Sequence, residues 1–235
     1  MRTLSASTVA AVTGTARRQW GSLRQGQIVD AAVRLARTEG VAALTIRRLA
    51  DEVGASRMAL YRHVPSKDAL LDLVANAVAE RLAVPDVSVD SPWQDRLRQL
   101  AHAMRRELRA LPDLAQLIMA RGNHSPGGLH LAEAILATLT TADLDDAATA
   151  RFYLVYVDLV LGRAHRELRG DPTSPSRNEA LLAGAEHRPD APRLRALAPR
   201  LRSADPDEVF ETELDMFVAA VEHAAQTCES SSDNI

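Results

Sequence analysis

The chain of 235 residues contains one cysteine, Cys228, which excludes an intrachain disulfide framework and a zinc site built on cysteines. Aromatic residues make up only 3 %, so a hydrophobic core must consist mainly of leucine, valine and alanine. The most apolar stretch, Phe152–Leu161, is interrupted by Asp158 and is much shorter than the roughly 20 residues that span a bilayer. Residues 1–20 lack the continuous apolar segment of a signal peptide. These absences predict a cytoplasmic protein that does not enter a membrane.

The motifs of common enzymes are also missing. No glycine-rich phosphate loop, nucleophile elbow or carboxylate–histidine motif occurs at a specific spacing. Histidine, aspartate and glutamate do not recur at the spacing of a metal site. We therefore predict no catalytic residues, no metal and no cofactor, and an activity based on binding.

The apolar residues that are present recur with a helical period, and no segment alternates as a strand does. This pattern predicts an all-α fold with a natural break at Pro85 and the residues after it. We expect a disordered arm at 1–21, a first domain at 22–84, a second at 91–227 and a polar tail at 228–235.

Charge is distributed unevenly between the two parts. Residues 17–82 carry 11 basic and 7 acidic side chains, whereas residues 83–235 carry 16 basic and 24 acidic ones. This asymmetry is expected when one end of a protein meets phosphates, although a solvated basic surface would look the same.

Residues 45–71, TIRRLADEVGASRMALYRHVPSKDALL, have the pattern of a helix-turn-helix. Thr45 is placed to cap one helix, and Gly54 permits the left-handed turn that follows it. Ser56 is placed to cap a second, very short helix, which Pro65 ends. Because the second helix of such a motif lies in the major groove of DNA, this is the predicted recognition helix.

Several side chains of this motif suit DNA. Arg57 suits paired hydrogen bonds to a guanine edge, and Met58 suits a thymine methyl group. The polar groups that suit phosphates belong to Thr45, Tyr61, His63 and Lys67. The complete set of predicted DNA contacts is Thr45, Arg47, Ser56, Arg57, Met58, Tyr61, Arg62, His63 and Lys67. The alternative is a small helical hairpin with solvated arginines, in which Tyr61 covers the edge of the core and His63 packs beside the turn.

Residues from Arg24 to about Leu73 resemble the DNA-binding domain of the TetR family of one-component bacterial repressors. The matching features are a helix ending in Glu39-Gly40, LTIRRLADEVG at 44–54 and the spacing S-x-x-A-L-Y-x-H-V-x-S-K-x-x-L at 56–70. Val64 departs from the pattern, because the family more often has Phe there.

The resemblance implies an N-terminal three-helix helix-turn-helix DNA-binding domain plus a C-terminal helical ligand-binding and dimerisation domain. It implies a homodimer, a small-molecule effector, and phosphate contacts from Tyr61, His63 and Lys67. Asp205–Phe210, which precedes an apolar last helix, is similar to the ending of the tetracycline-repressor subgroup.

In the second part the sequence predicts five helices and an irregular connection. A capping box at Ser91–Gln94 begins the first of them. The others are expected at 112–120, at 129–139, from Asp143 and Asp146 to about 168, and from Pro206 to about 225. Residues 121–128 are expected to form a loop, and residues 169–203 an irregular connection with a short helix at 179–185.

The long helix has a face of polar and small residues that suits either a dimer seam or the wall of a ligand cavity. We favour the seam, because glycine at a helix crossing usually serves close packing. The predicted interface consists of Val155, Asp158, Gly162, His165, Phe210, Leu214, Phe217 and Val221. The candidate pocket residues are Trp93, Met104, Leu108, Leu117, Met119 and Phe152, for which ordinary core packing is the alternative.

Together these features predict a ligand-responsive, sequence-specific repressor that binds a palindromic operator as a homodimer and is released by a small hydrophobic or amphipathic effector. A transcriptional activator is a variant of this hypothesis. The competing hypothesis is an architectural or protein-binding helical module, which would bind DNA weakly and without site preference.

Overall fold

The computed structural model of the chain describes residues 25–83, 90–167, 174–186 and 188–232. Within these residues the fold is all-α, as predicted. The helices are α1 Gln25–Glu39, α2 Ile46–Val53, α3 Arg57–Tyr61, α4 Lys67–Ala83, α5 Trp93–Ala110, α6 Pro112–Arg121, α7 Pro126–Thr140, α8 Asp146–Glu167, α9 Ser174–Glu186, α10 Pro192–Arg202 and α11 Pro206–Ser232. The predicted arm at 1–21 and the proposed start of the first helix at Ser22 lie outside the described residues. No helix in the described part combines the length and the apolar composition needed to cross a bilayer.

The helix-turn-helix follows the capping signals of its sequence. The Thr45 hydroxyl accepts a hydrogen bond from the Arg48 amide at 3.1 Å, and the Ser56 hydroxyl accepts one from the Ala59 amide at 3.2 Å. Gly54 ends α2 in the left-handed conformation with φ 67°. The predicted caps and turn are therefore confirmed.

The N-terminal helices enclose a core of short aliphatic side chains. Its fully buried members include Ile28, Leu35, Leu44, Leu49, Leu60, Val64, Leu70 and Val74. Leu111 and Leu114, at the start of α6, lie in the same core with exposures of 0 % and 1 %. The second part of the chain is therefore anchored in the core of the first.

The second core lies between α5, α7, α8 and α11. Tyr156 of α8 is fully buried there, and its hydroxyl donates to the Leu97 carbonyl oxygen at 2.7 Å. This burial raises the pKa of Tyr156 far above its usual range. On the other side of the bundle, α4 packs along α7, so α4 belongs to both parts of the molecule.

One predicted helix cap and one predicted helix start are wrong. No side-chain hydrogen bond caps α5, whose N-cap residue is Pro92, and the Gln94 side chain instead donates to Glu222 at 3.0 Å. Helix α7 begins at Pro126 rather than at 129, because the Ser125 hydroxyl accepts from the Gly128 amide and so draws both glycines into the first turn.

Two expectations near the C-terminus are also wrong. The connection expected to be irregular contains both α9 and α10, and α10 includes Pro199 within its length. The last helix continues to Ser232, through most of the segment predicted to be a polar tail.

Candidate DNA-binding surface and ligand cavity

Helix α3 is held by one side chain and exposes the others. Leu60 is fully buried in the N-terminal core, as expected for the anchor of a helix too short to be stable alone. Met58 is 75 % exposed and Tyr61 is 48 % exposed, and Arg57 and Arg62 are exposed as well. The helix thus presents a thioether, a phenol and two guanidinium groups to solvent.

The residues predicted to flank this helix on DNA are exposed too. Thr45, Arg47, Ser56, His63 and Lys67 lie at the start of α2, at both ends of α3 and at the start of α4. A shallow depression is lined by Arg47, Ala50, Asp51, Ala55 and Arg57, which brings the two arginines to one place.

The two adjacent arginines of α2 have different environments. Arg48 binds Glu39 of α1 through Nε and Nη2, with its Nη2 2.6 Å from Oε1, and its Nη1 lies 3.2 Å from Glu52. Hydrogen bonding by Arg48 lowers the pKa of Glu39 below its usual range. Arg48 therefore joins α1 to α2, and Arg47 is the arginine of this pair that remains exposed for a ligand.

A cavity of about 360 Å³ lies among α4, α5, α6, α7 and α8. Its described lining is almost entirely apolar, with Asn123 and His124 as polar exceptions, and includes no Asp, Glu, Lys or Arg. Such a site suits a small molecule with a large apolar surface and one or two hydrogen-bonding groups.

Two of the six predicted pocket residues, Met104 and Leu108, line this cavity. The other described candidates pack elsewhere: Leu117 lies against the N-terminal core, Trp93 lies against the second core, and the Phe152 ring meets the Phe217 ring edge-on with centroids 5.8 Å apart. The Met119 side chain lies outside the described part of the structure.

The cavity also contains residues that the sequence interpretation missed. Tyr153, Val157 and Leu161 line it from α8, and Leu131 and Ile135 line it from α7. The recurrence of Tyr153, Val157 and Leu161 at every fourth residue marks one face of α8, and this signal was available in the sequence.

The predicted dimer residues divide into two groups. On α8, Val155 is 52 % exposed, Asp158 is exposed, and the position of a Cβ on Gly162 is open. On α11 the prediction requires correction: Phe210, Leu214, Phe217 and Val221 are buried within the protomer against α5 and α8. Their periodicity identified a buried face correctly but not the element that buries it.

Other apolar side chains of these two helices remain uncovered. Leu154 of α8 is 61 % exposed and Met216 of α11 is 68 % exposed. His165 is half-buried, and its Nδ1 has no hydrogen-bond partner among the described residues.

An ion cluster joins the buried side chains of Arg105 in α5 and Glu167 in α8 to the exposed carboxylate of Asp207 in α11. The Arg105 side chain, 6 % exposed, binds Glu167 through Nε at 2.9 Å and Nη2 at 2.8 Å. Its Nη2 also lies 2.6 Å from Asp207, and its guanidinium carbon lies 4.5 Å from the centre of the Phe210 ring. Burial disfavours the charged guanidinium, but hydrogen bonds to both carboxylates outweigh this and raise the pKa of Arg105.

Family models match most of the chain. Residues 28–74 match the model described as bacterial regulatory proteins, tetR family, and residues 85–224 match the model described as tetracyclin repressor-like, C-terminal domain. The tetracycline repressor protein class A of Escherichia coli is 31 % identical over 83 % of this chain and 89 % of its own length.

In two further relatives the match spans less than two thirds of the relative's own length. The transcriptional repressor DrrR1 of Streptomyces coeruleorubidus is 31 % identical, and the match covers 63 % of this chain but 54 % of that protein. An HTH-type regulator of Saccharopolyspora erythraea is 34 % identical, over 62 % of this chain and 61 % of its own length.

Among solved structures, apo ActR of Streptomyces coelicolor superposes with a TM-score of 0.73 at 28 % identity, over 89 % of this chain and 99 % of its own. ActR in complex with actinorhodin superposes with a TM-score of 0.71, over 87 % and 99 % of the two chains.

Proposed function

Because the chain belongs to the TetR family, we propose that it is a sequence-specific DNA-binding repressor that acts as a homodimer on a palindromic operator. The observation that carries this proposal is the exposure of α3, which offers Arg57 and Met58 to a partner while Leu60 holds the helix. Such a protein acts where bacterial DNA lies, in the cytoplasm.

In the proposed complex, α3 enters the major groove. Arg57 donates two hydrogen bonds to a guanine edge, and Met58 contacts a thymine methyl group. Thr45, Tyr61, His63 and Lys67 contact phosphates, which set the register of the helix without selecting sequence. Arg47, Ser56 and Arg62 complete the surface.

The homodimer is proposed to form through the uncovered faces of α8 and α11. A recognition helix of five residues, α3, gives little binding energy alone, and a two-fold dimer doubles its contacts on a palindrome. Leu154, Val155 and Met216 supply the exposed apolar surface that such an interface would bury. Asp158 and Gly162 lie on the same helix as this surface and would lie within the seam.

Release from DNA is proposed to follow from a small hydrophobic or amphipathic effector in the cavity. ActR, which has a similar fold, is crystallised with actinorhodin. In this chain Ala75, Val78, Ala79 and Leu82 line the cavity from α4, whose first residue is Lys67 on the proposed DNA surface. A ligand that prefers a displaced α4 would therefore shift the recognition helices away from their DNA-binding separation.

The proposal is tested by incubating the purified chain with random duplexes at near-physiological salt and sequencing the bound fraction. We expect a palindromic motif with half-sites spaced for a dimer. Arg57→Ala should weaken the preference at one position of each half-site, whereas Arg193→Ala, on exposed α10, should change nothing. Recovery of no motif by a folded protein would refute sequence-specific binding and favour the architectural module.

A further inference from the structure

A second groove lies beside the cavity, between the C-terminal end of α4, α5 and α7. Its volume is about 600 Å³. The floor is apolar and is formed by Leu82, Leu100, Ala103, Ala134 and Ala137. Among the described lining residues of both sites, the groove and the cavity share Leu82 alone, so α5 and α7 separate two spaces.

The rim of the groove is basic. Arg81, Arg96, Arg106 and His102 line it, with Glu107 as its one described acidic residue. Glu107 is paired with Arg37 of α1, and Arg81 lies 3.2 Å from Asp30 of the same helix. His102 lies 3.0 Å from Glu211. Glu107, Arg81 and His102, three lining groups of the groove, therefore already have partners.

Arg96 and Arg106 lack a carboxylate partner within the described part of the chain. Arg96 is half-buried, and its Nη2 donates to the hydroxyl of buried Thr138 at 3.0 Å. That hydroxyl is neutral and itself donates to the Ala134 carbonyl at 2.8 Å, so it does not compensate the charge. A partly desolvated guanidinium without a counter-ion is unfavourable and attracts an anion.

We propose that this groove is a second binding site, which takes an amphipathic organic anion. The apolar body of the ligand covers Leu82, Leu100 and the alanine floor. Its carboxylate or sulfonate pairs with Arg96, whose planar guanidinium group suits paired hydrogen bonds to an oxyanion. Arg106, about three turns further along α5, adds a second positive charge to the lining of the groove. The site differs in chemistry from the cavity, whose described lining carries no arginine. The proposal does not depend on DNA binding.

Two fluorescent probes that differ by one sulfonate group test this site in the full chain. 8-Anilino-1-naphthalenesulfonate is the anion, and N-phenyl-1-naphthylamine has the same aromatic skeleton without the charge. We expect Arg96→Gln/Arg106→Gln to weaken binding of the sulfonate by about tenfold or more, since a charge-assisted contact and a second positive charge of the lining are lost. Binding of the neutral probe should stay unchanged.

The matched control is Arg193→Gln/Arg195→Gln, which removes two charges from exposed α10. An equal loss of sulfonate binding in both double variants would overturn the proposal, because net charge alone would explain it. The single variant Arg106→Gln changes an exposed position and leaves the hydrogen bond between Arg96 and Thr138 intact. It should therefore reduce binding of the sulfonate less than the double variant does.

A cavity-filling variant separates the two sites. Ala132 lines the cavity but not the described wall of the groove. Ala132→Phe should therefore abolish binding of the neutral probe and retain the arginine-dependent binding of the sulfonate. Loss of both probes in this variant, with the fold intact by circular dichroism, would place the sulfonate in the cavity and refute the second site.

Discussion

The amide nitrogen of Gly127 in α7 donates a hydrogen bond to the Oδ1 of Asn76 in α4 at 2.8 Å. The helices cross so closely there that a Cβ on Gly127 would lie 2.4 Å from the Asn76 carbonyl oxygen and 2.9 Å from the Glu80 amide nitrogen. These two obstacles are backbone atoms, which cannot rotate away, and the Glu80 Cγ would also lie within 2.8 Å. The crossing therefore joins the helix that leaves the helix-turn-helix to a wall of the cavity.

Substitution of Gly127 by alanine should force the two helices apart. We expect Gly127→Ala to lower the free energy of unfolding by about 1–3 kcal/mol, the usual cost of overpacking. For a chain of this size the thermal midpoint should fall by roughly 2–4 °C per kcal/mol. Gly184→Ala is the control, because a Cβ there meets nothing within 4 Å and alanine is the better helix former. Equal midpoints for the two variants would contradict the close crossing.

This crossing marks a limit of what the sequence predicts. Thr45, Gly54 and Ser56 were recognisable because capping and left-handed turns depend on neighbours within three or four residues. The sequence predicts a loop at Gly127, because the surrounding residues 121–128 are rich in Gly, Pro, Ser and Asn. Glycine is required at position 127 because of the close approach of Asn76, which is distant in sequence and becomes adjacent only after folding.

The distinction between local and long-range contacts also explains the other places where the structure differs from the sequence prediction. The prolines of residues 169–203 suggested irregular structure, but Pro192 is at the first turn of α10, where its missing amide costs nothing. The spacing of Phe210 and Phe217, which follows the helical period of 3.6 residues, indicates that both are buried. It does not distinguish burial in the core of one protomer from burial in a dimer interface. The assignment of α3 needed no long-range information, since the Ser56 cap that begins it and the Pro65 that follows it are local.

Lys67 provides a test of the phosphate contacts. Its side chain is exposed at the start of α4 and is proposed to contact the backbone of DNA. Lys67→Gln should weaken binding to all sequences alike and reduce the slope of log affinity against log salt by about one. The comparison is a titration of an operator duplex and an unrelated duplex at several salt concentrations. A change in preference between duplexes with an unchanged slope would show that Lys67 contacts bases.

The exposed face of α8 should control dimerisation. We expect Leu154→Glu to convert the proposed dimer to a monomer at micromolar concentration, since it introduces a charge into an apolar seam. Sedimentation velocity measures the change. Met58→Glu is the control: this side chain is also exposed, but on α3, so the variant should remain dimeric and lose DNA binding. A Leu154→Glu chain that sediments as the wild type does would exclude Leu154 from the interface.

Substitution of the buried Arg105 should strongly destabilise the folded protein. Glu167 is 7 % exposed and would lose both of its hydrogen bonds to Arg105, keeping only Arg109, whose Nε lies 3.7 Å from its Oε2. Arg105→Leu is expected to lower the free energy of unfolding by about 3 kcal/mol, the lower end of the usual cost of removing one partner of a buried ion pair, because Arg109 remains near Glu167. Arg195→Leu, on exposed α10, is the control. Urea unfolding measures both, and a loss below about 1 kcal/mol in Arg105→Leu would show that Glu167 is reached by water.

Asp207 gives the cluster a defined pH dependence. Hydrogen bonding by Arg105, assisted by its charge and by Arg109 at 3.4 Å, lowers the pKa of Asp207 below the ordinary value of 3.8. A carboxyl group whose pKa is lowered on folding stabilises the native state above its unfolded pKa, and that contribution disappears as pH falls through the folded pKa. Wild type should therefore exceed Asp207→Asn in stability near pH 7, and the difference should persist to about pH 4 and shrink below it.

The measurement is the free energy of unfolding of both proteins from urea titrations between about pH 7 and pH 3. Asp215→Asn is the matched control: Asp215 lies on α11 like Asp207 and is equally exposed, and it binds Arg98 of α5 at 2.7 Å. The Arg98 side chain is 28 % exposed, however, whereas that of Arg105 is 6 % exposed. Removal of the Asp215 carboxylate should have a small effect, as expected for an exposed ion pair. If the difference between wild type and Asp207→Asn grew as the pH fell, the sign of the linkage would be reversed. Asp207 would then bind its proton more tightly in the folded state than in the unfolded state. Arg105 would in that case form its hydrogen bonds with Glu167 alone.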